Sequence, residues 1–426
     1  MKCLSKITQL ALLFVSLASM SLLANAANFV KKNSGQYVYA ITNSASGNSV
    51  AGYRVQDDGT LAPLPGSPFP TGGLGQGLTL LVNTDNGIVA SEDNRFLFVP
   101  NRGTNDISVF RIRRNGSLVS VKGSPFPTGG VTPSSLAISG NTLFVAHTGL
   151  GLLASCPDCD YRGFHVSRGG QLTPIDDAVI ELSETPASGP FSIDFTPDGQ
   201  FLVGTEIISG NINVFKIEQG KGSDNYYDYG YGRKLKITPA PGSPFQGNGA
   251  LPIGFLFNPA NPSQLFVTNV GAGAEDGSVS SYLFSTTTGQ LAPITSPAAS
   301  GQGATCWLVV TQDGKHLLTT DTTSDSVSRF EIADDGQVTL LESVGVPRNG
   351  VPEETLIAPI DMVLTSNDEY LYVLLRDTAS VLGYKLGENA EITPLGSVSL
   401  GAADAFPFGM VSVDLNNRRF GKGLRD

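Results

Sequence analysis

Seven times along its 426 residues the chain repeats one short pattern: a bulky residue, an aromatic three positions on, and an apolar residue two beyond that. The copies are "VAGYRV" at 50, "ISVFRI" at 107, "YRGFHV" at 161, "INVFKI" at 212, "VSSYLF" at 279, "VSRFEI" at 327 and "VLGYKL" at 381. Each is followed by a turn and a further short apolar run, as in "DGTLAPL", "NGSLVSV" and "TGQLAPI". Asp-Gly and Asn-Gly turns supply the positive φ that a tight antiparallel hairpin needs. Each copy is also preceded by an apolar strand, such as "FLFVPN", "FLVGTE" or "YLYVLL", and before that by an inner run such as "FSIDFTPDG".

Four short strands per unit and seven units make an all-β chain. The matched positions Val38, Leu97, Leu143, Leu202, Leu265, Leu317 and Leu371 lie 46 to 63 residues apart, and strands repeating at this period read as blades of a seven-bladed β-propeller. No stretch of helical period interrupts them. The first unit opens on its second strand at Tyr37, and "FPFGMVSVDL" (406–415) is an inner strand with no partners of its own. The C-terminal strand is therefore expected to complete blade one and close the ring, leaving no open sheet edge at the seam. "GSPFPTGG" at Gly66 and again at Gly123, with "GSPFQGNG" at Gly242, reads as the link from one blade's outer strand to the next blade's inner strand.

The first 26 residues stand apart. Lys2 and Lys6 precede the apolar run "ALLFVSLASMSLLA", and "ANA" ends at Ala26, which is the pattern of a cleaved secretory signal. The expected mature unit is 27–426, a single propeller, exported to the periplasm or beyond, with no membrane span. Loss of the signal moves the formal charge from −11 to −13. Such an acidic protein has no electrostatic basis for holding nucleic acid or anionic membranes. Three mature cysteines form no disulfide framework, and the chain is expected to be a monomer without cofactor or metal.

The unit "PDGxFLxV…N…SVxxFxI…DGxLxPxxGSPxxTG" resembles the seven-bladed β-propeller lactonase family, which includes 6-phosphogluconolactonases and carboxymuconate cyclases. The resemblance covers nearly the whole mature chain. It implies hydrolysis of small sugar lactones at the mouth of the central channel. Where such enzymes carry an Arg-His pair ("GPRH"), this chain reads "GPFS", with Phe191 and Ser192. Glu206 in "GTEI" looks like the family glutamate.

In an antiparallel blade, inner-strand starts and second-strand ends share one end of the sheet. The second strands end at Thr42, Asn101, His147, Glu206, Asn269, Asp321 and Leu375, and Arg102 and Arg376 follow two of them. Glu206, Asp321 and His147 are candidates for activating water, and Arg102 and Arg376 for clamping an anionic group. Asp361 and Trp307, at inner-strand starts, are candidates for binding substrate. The bland alternative is that these polar ends satisfy loop backbone groups.

Two further features stay open. His147, Cys156, Cys159 and His165 fall within nineteen residues, formally a zinc spacing, although an exported "CPDC" more simply forms a local disulfide between Cys156 and Cys159. The insertion 222–234 holds four of twelve tyrosines and is suited to a protein or glycan partner. A non-catalytic propeller binding a ligand or partner therefore stands beside the enzyme.

Overall fold

The computed structural model describes residues 35–77, 86–149, 159–182, 188–219 and 234–417. The expected signal segment, Cys156 and all of the tyrosine-rich insertion except Lys234 lie outside them. Seven antiparallel sheets follow one another along the chain. Blade 4 shows the pattern: inner strand Pro190–Phe195, second strand Phe201–Glu206, third strand Asn211–Gln219 and outer strand Leu235–Pro239, each paired with the next. Among the described residues the only helical elements are two 3-10 turns, Glu388–Ala390 and Leu415–Asn417.

The repeat has a direct physical meaning. Each matched aliphatic residue of the second strand pairs with the aromatic of the third: Val38 with Tyr53, Leu97 with Phe110, Leu143 with Phe164, Leu202 with Phe215. Leu265 with Tyr282, Leu317 with Phe330 and Leu371 with Tyr384 complete the set. All seven aliphatic residues are fully buried, as expected where sheets are covered on both faces. The last strand, Met410–Asp414, pairs with Gln36–Ile41, so blade 1 is built from both ends of the chain. Blade 7 packs on blade 1 at Gly59, where a Cβ would fall 2.1 Å from the Tyr370 ring and the backbone has φ +82. Only glycine fits both constraints.

The Pro/Gly phrase does more than link. Phe69–Pro70, Phe126–Pro127 and Phe245–Gln246 return to pair with the third strands of their own blades. The first half of the phrase is thus a kink inside the outer strand. Ser67-Pro68, Ser124-Pro125 and Ser243-Pro244 are all cis. Each serine Oγ accepts the backbone N–H of Gly52, Val109 or Val214 at 2.9 Å, satisfying a third-strand donor at the kink.

A belt of hydrogen bonds joins successive blades near the inner-strand starts. Ser135 Oγ accepts from Ile193 N at 3.0 Å, Thr205 donates to Ile253 O, Thr268 to Cys306 O, and Thr322 to Pro359 O at 2.9 Å. Asp361 closes the seam. Its Oδ2 accepts Met410 N at 2.6 Å and its Oδ1 accepts Met362 N at 2.7 Å.

Candidate active site

The second-strand ends turn into their own blades. Antiparallel pairing sets Asn101 opposite Asp106, Asn269 opposite Ser278 and Asp321 opposite Ser326. Their side chains therefore meet polar groups at the start of the third strand and two residues along it, on the same face. Asn101 Nδ2 donates to Asp106 (2.6 Å) and Ser108 (2.7 Å). Asp321 accepts from Ser326 (3.0 Å), Ser328 (2.6 Å) and Thr305 (2.8 Å). Glu206 accepts from Asn213 Nδ2 and Ser209 Oγ. All three are fully buried. Burial pushes the Asp321 carboxyl up to about 6, against the lowering effect of its hydroxyl donors.

His147 follows the same plan with a longer chain of partners. Its Nδ1 lies 2.7 Å from Asp160 Oδ1, and Asp160 Oδ2 accepts from Arg162 Nε at 2.8 Å. Burial holds the imidazole below its ordinary pKa, outweighing the hydrogen bond and charge of Asp160. The ring is therefore neutral near pH 7, its Nδ1 proton donated to the carboxylate.

The glycines of the linking phrase seal these ends. A Cβ on Gly73, Gly130 or Gly249 would lie 2.5, 2.4 or 2.3 Å from Cγ of Asn101, His147 or Asn269. Backbone packs directly on the side chains that the sequence alone placed at an open mouth. No described hydrogen bond or ion pair joins any two of Glu206, Asp321, His147 and Arg376. Glu206, Asp321 and His147 thus work as latches within blades 4, 6 and 3.

The remaining candidates divide into two groups. Arg102 is buried and stacked at 4.8 Å over the Phe408 ring, and burial lowers its pKa to about 9. Phe191 and Trp307 meet at 6.5 Å between ring centroids and share one apolar cluster with Phe408, Ile253 and Ile360. The inner-strand starts therefore carry an aromatic collar, which includes the Phe191 that stands in place of the family arginine. Arg376 is not in it. Its Nε and Nη2 donate to Asp377 at 2.6 and 3.2 Å while its guanidinium lies 5.0 Å over Phe406. Asp361 is the seam residue described above.

His147 and His165 sit at opposite ends of the strand Thr142–His147, His165 pairing with Thr142. At about 3.3 Å per residue they are some 16 Å apart, too far to share one zinc ion. Cys159 is buried and disulfide-bonded, and its expected partner Cys156 lies outside the described residues.

Sequence reasoning missed one acid. The inner-strand residues that pair three positions before the second-strand ends are Val89, Ala137, Asp194, Leu256, Val309, Val363 and Val411. Six are aliphatic and one is a carboxylate. Five of the seven, Asp194 among them, remain partly exposed, as side chains facing a central channel would. Asp194 accepts the Phe195 N–H at 2.8 Å and lies beside the Asn86 amide, which donates to Ile193 O at 3.1 Å. Burial pushes its carboxyl up to about 7. Aligning the seven inner strands would have exposed "SIDF" as the odd one.

Against known proteins, the family model described as a seven-bladed β-propeller lactonase matches residues 81–149 and 254–398. A solved Bacteroides fragilis protein assigned as a 6-phosphogluconolactonase is 19% identical, with TM-score 0.69 over 90% of this chain and 99% of its own. The Pseudomonas aeruginosa periplasmic gluconolactonase is 18% identical, with TM-score 0.67 over 89% of this chain and 99% of its own. At these identities the two structures speak for the fold alone. No curated protein sequence matches the chain. The seven closed blades and the family match over half the chain lead to one conclusion: the chain belongs to the seven-bladed β-propeller lactonase family.

Proposed function

We propose that this protein is an exported hydrolase that opens small sugar lactones in the central channel of its propeller. Membership of the lactonase family carries the reading. The likeness to a periplasmic gluconolactonase and the "ANA" signal pattern support export. The collar of Phe191, Trp307 and Phe408 is buried and would form the apolar backing of the channel end. Glu206, Asp321 and His147 would then act as positioning residues that hold the loops around the collar.

A ligand-binding propeller without turnover is the second reading, and the burial of Glu206 and Asp321 favours it. Trp307 is the only tryptophan in the chain, so one protein preparation separates the two. Base uptake in a pH-stat on aldonolactones and their acidic derivatives reports turnover, and Trp307 emission reports binding. Uptake above the spontaneous rate supports the hydrolase. A saturable emission change without uptake supports the binder, and neither signal refutes both.

A further inference from the structure

We propose that an arginine strip where blades 1, 2 and 3 meet is a docking surface for an acidic polysaccharide, one that carries a carboxylate on each sugar. The inference is independent of the lactone reading above.

Equivalent turns around the ring carry opposite charge. In antiparallel blades the turns from third to outer strand all lie at one end, on the face away from the aromatic collar. Four are closed by the same backbone bond: Gly59 N to Gln56 O, Gly116 N to Arg113 O, Gly170 N to Ser167 O and Gly336 N to Ala333 O, at 2.8 to 3.0 Å. Blade 1 places Asp57 and Asp58 there, blade 6 Asp334 and Asp335, and blade 7 Glu388 and Glu391. Blade 2 has Arg113 and Arg114 instead, and blade 3 has Arg168. Each turn rests on the preceding blade. A Cβ on Gly116 would fall 2.2 Å from the Tyr37 ring, and one on Gly170 2.5 Å from the Phe96 ring. Those aromatics pair with Arg54 and Arg111. The guanidinium groups of Arg95 and Arg111 lie 5.2 and 4.9 Å from the Phe96 centroid, and Arg95 Nη2 donates to Arg168 O at 3.4 Å. Arg54, Arg113, Arg114, Arg111, Arg95 and Arg168 therefore form one strip, and all but Arg95 are exposed. The acids beside it are Asp93, 3.5 Å from Arg95, and Glu92, which accepts Gly140 N at 3.0 Å. Among the described residues no ion pair includes Arg54, Arg111, Arg113 or Arg168.

The mature chain has a formal charge of −13, so the strip attracts anions only within a Debye length, about 8 Å at physiological salt. A plane of anionic lipid on this face would also meet the acidic turns of blades 6, 7 and 1. A single polymer chain can follow the arginines alone. Guanidinium forks bind carboxylates through paired hydrogen bonds, and the shared Phe96 ring holds two of them in place. One charge per sugar is repelled less by the acidic remainder of the protein than the closely spaced phosphates of a nucleic acid.

The test titrates the mature protein with polygalacturonate in a calorimeter at pH 7, with neutral dextran and duplex DNA as comparisons. Wild type should bind polygalacturonate saturably in roughly 50 mM salt and ignore dextran. Its affinity should fall at least ~10-fold by roughly 200 mM salt as counterion release loses its drive. Arg113→Gln with Arg114→Asp copies Gln56 and Asp57 of blade 1's own turn, which guards against misfolding, and should cost at least ~10-fold in affinity. Lys315→Gln with Lys385→Asp makes the same charge change outside the strip and should stay within about twofold. A wild type that does not bind polygalacturonate at the lower salt overturns the proposal, and so does a strip variant that binds as wild type does. DNA bound at least as tightly as polygalacturonate overturns the polysaccharide assignment. A sedimenting dimer that the strip variant abolishes, with no polymer bound, assigns the strip to a second copy and overturns it too.

Discussion

Replacing Asp361 by alanine should loosen the ring at its seam. The carboxylate is 4% exposed and accepts two backbone N–H groups, Met362 in its own strand and Met410 in the closing strand. Hydrogen bonds to a charged group contribute about 1.5–3 kcal/mol each, and the two donors would be left buried without an acceptor. Removing a buried carboxylate returns part of that, because its desolvation cost disappears as well. The net loss should be about 2–4 kcal/mol. Urea unfolding followed by far-UV circular dichroism reads it as a fall in the midpoint at unchanged slope. Asp377→Ala, which breaks only the partly exposed pair with Arg376, is the control and should cost under about 1 kcal/mol. An Asp361→Ala protein within about 0.5 kcal/mol of wild type would refute the claim that this carboxylate fastens the closing strand.

Other predictions concern protonation and packing. Asp194 and Asp321 have native carboxyl pKa values raised to about 7 and about 6, so between about pH 4 and 7 the folded state binds more protons than the unfolded one. Their contribution to stability should therefore fall as pH rises through that window and level off above it. Thermal melts of wild type against Asp194→Asn from pH 4 to 8 should diverge progressively, and parallel curves would contradict the burial of that charge. Gly130→Ala would place a Cβ 2.4 Å from the His147 ring. It should lower stability by about 1–3 kcal/mol through overpacking, whereas a neutral result would mean that the segment does not rest on the histidine.

The blades were legible because their signal is periodic and local. The apolar–aromatic pattern sets Leu202 opposite Phe215 and Leu371 opposite Tyr384, and side-chain alternation leaves little freedom in that register. Ring closure was legible from "FPFGMVSVDL", an inner strand without its own sheet. Side-chain direction at the strand ends was not. Glu206 and Asp321 turn inward because Asn213 and Ser328 wait two residues into the facing strand, and Gly130 covers His147 from a segment that precedes its blade. Those contacts depend on how three separate segments meet. "GSPF" hid its role for a similar reason: its serine caps a third-strand N–H fifteen residues upstream. Asp194 was overlooked as one acid inside an otherwise apolar strand.

The central claim is hydrolysis in the channel, and a pH-stat trace tests it most directly. Purified mature protein is added to an uncharged aldonolactone at pH 7 and base consumption is compared with that of lactone alone. Hydrolysis in the channel predicts consumption that scales with protein concentration and saturates with lactone. Consumption equal to the spontaneous rate at every lactone concentration would contradict it.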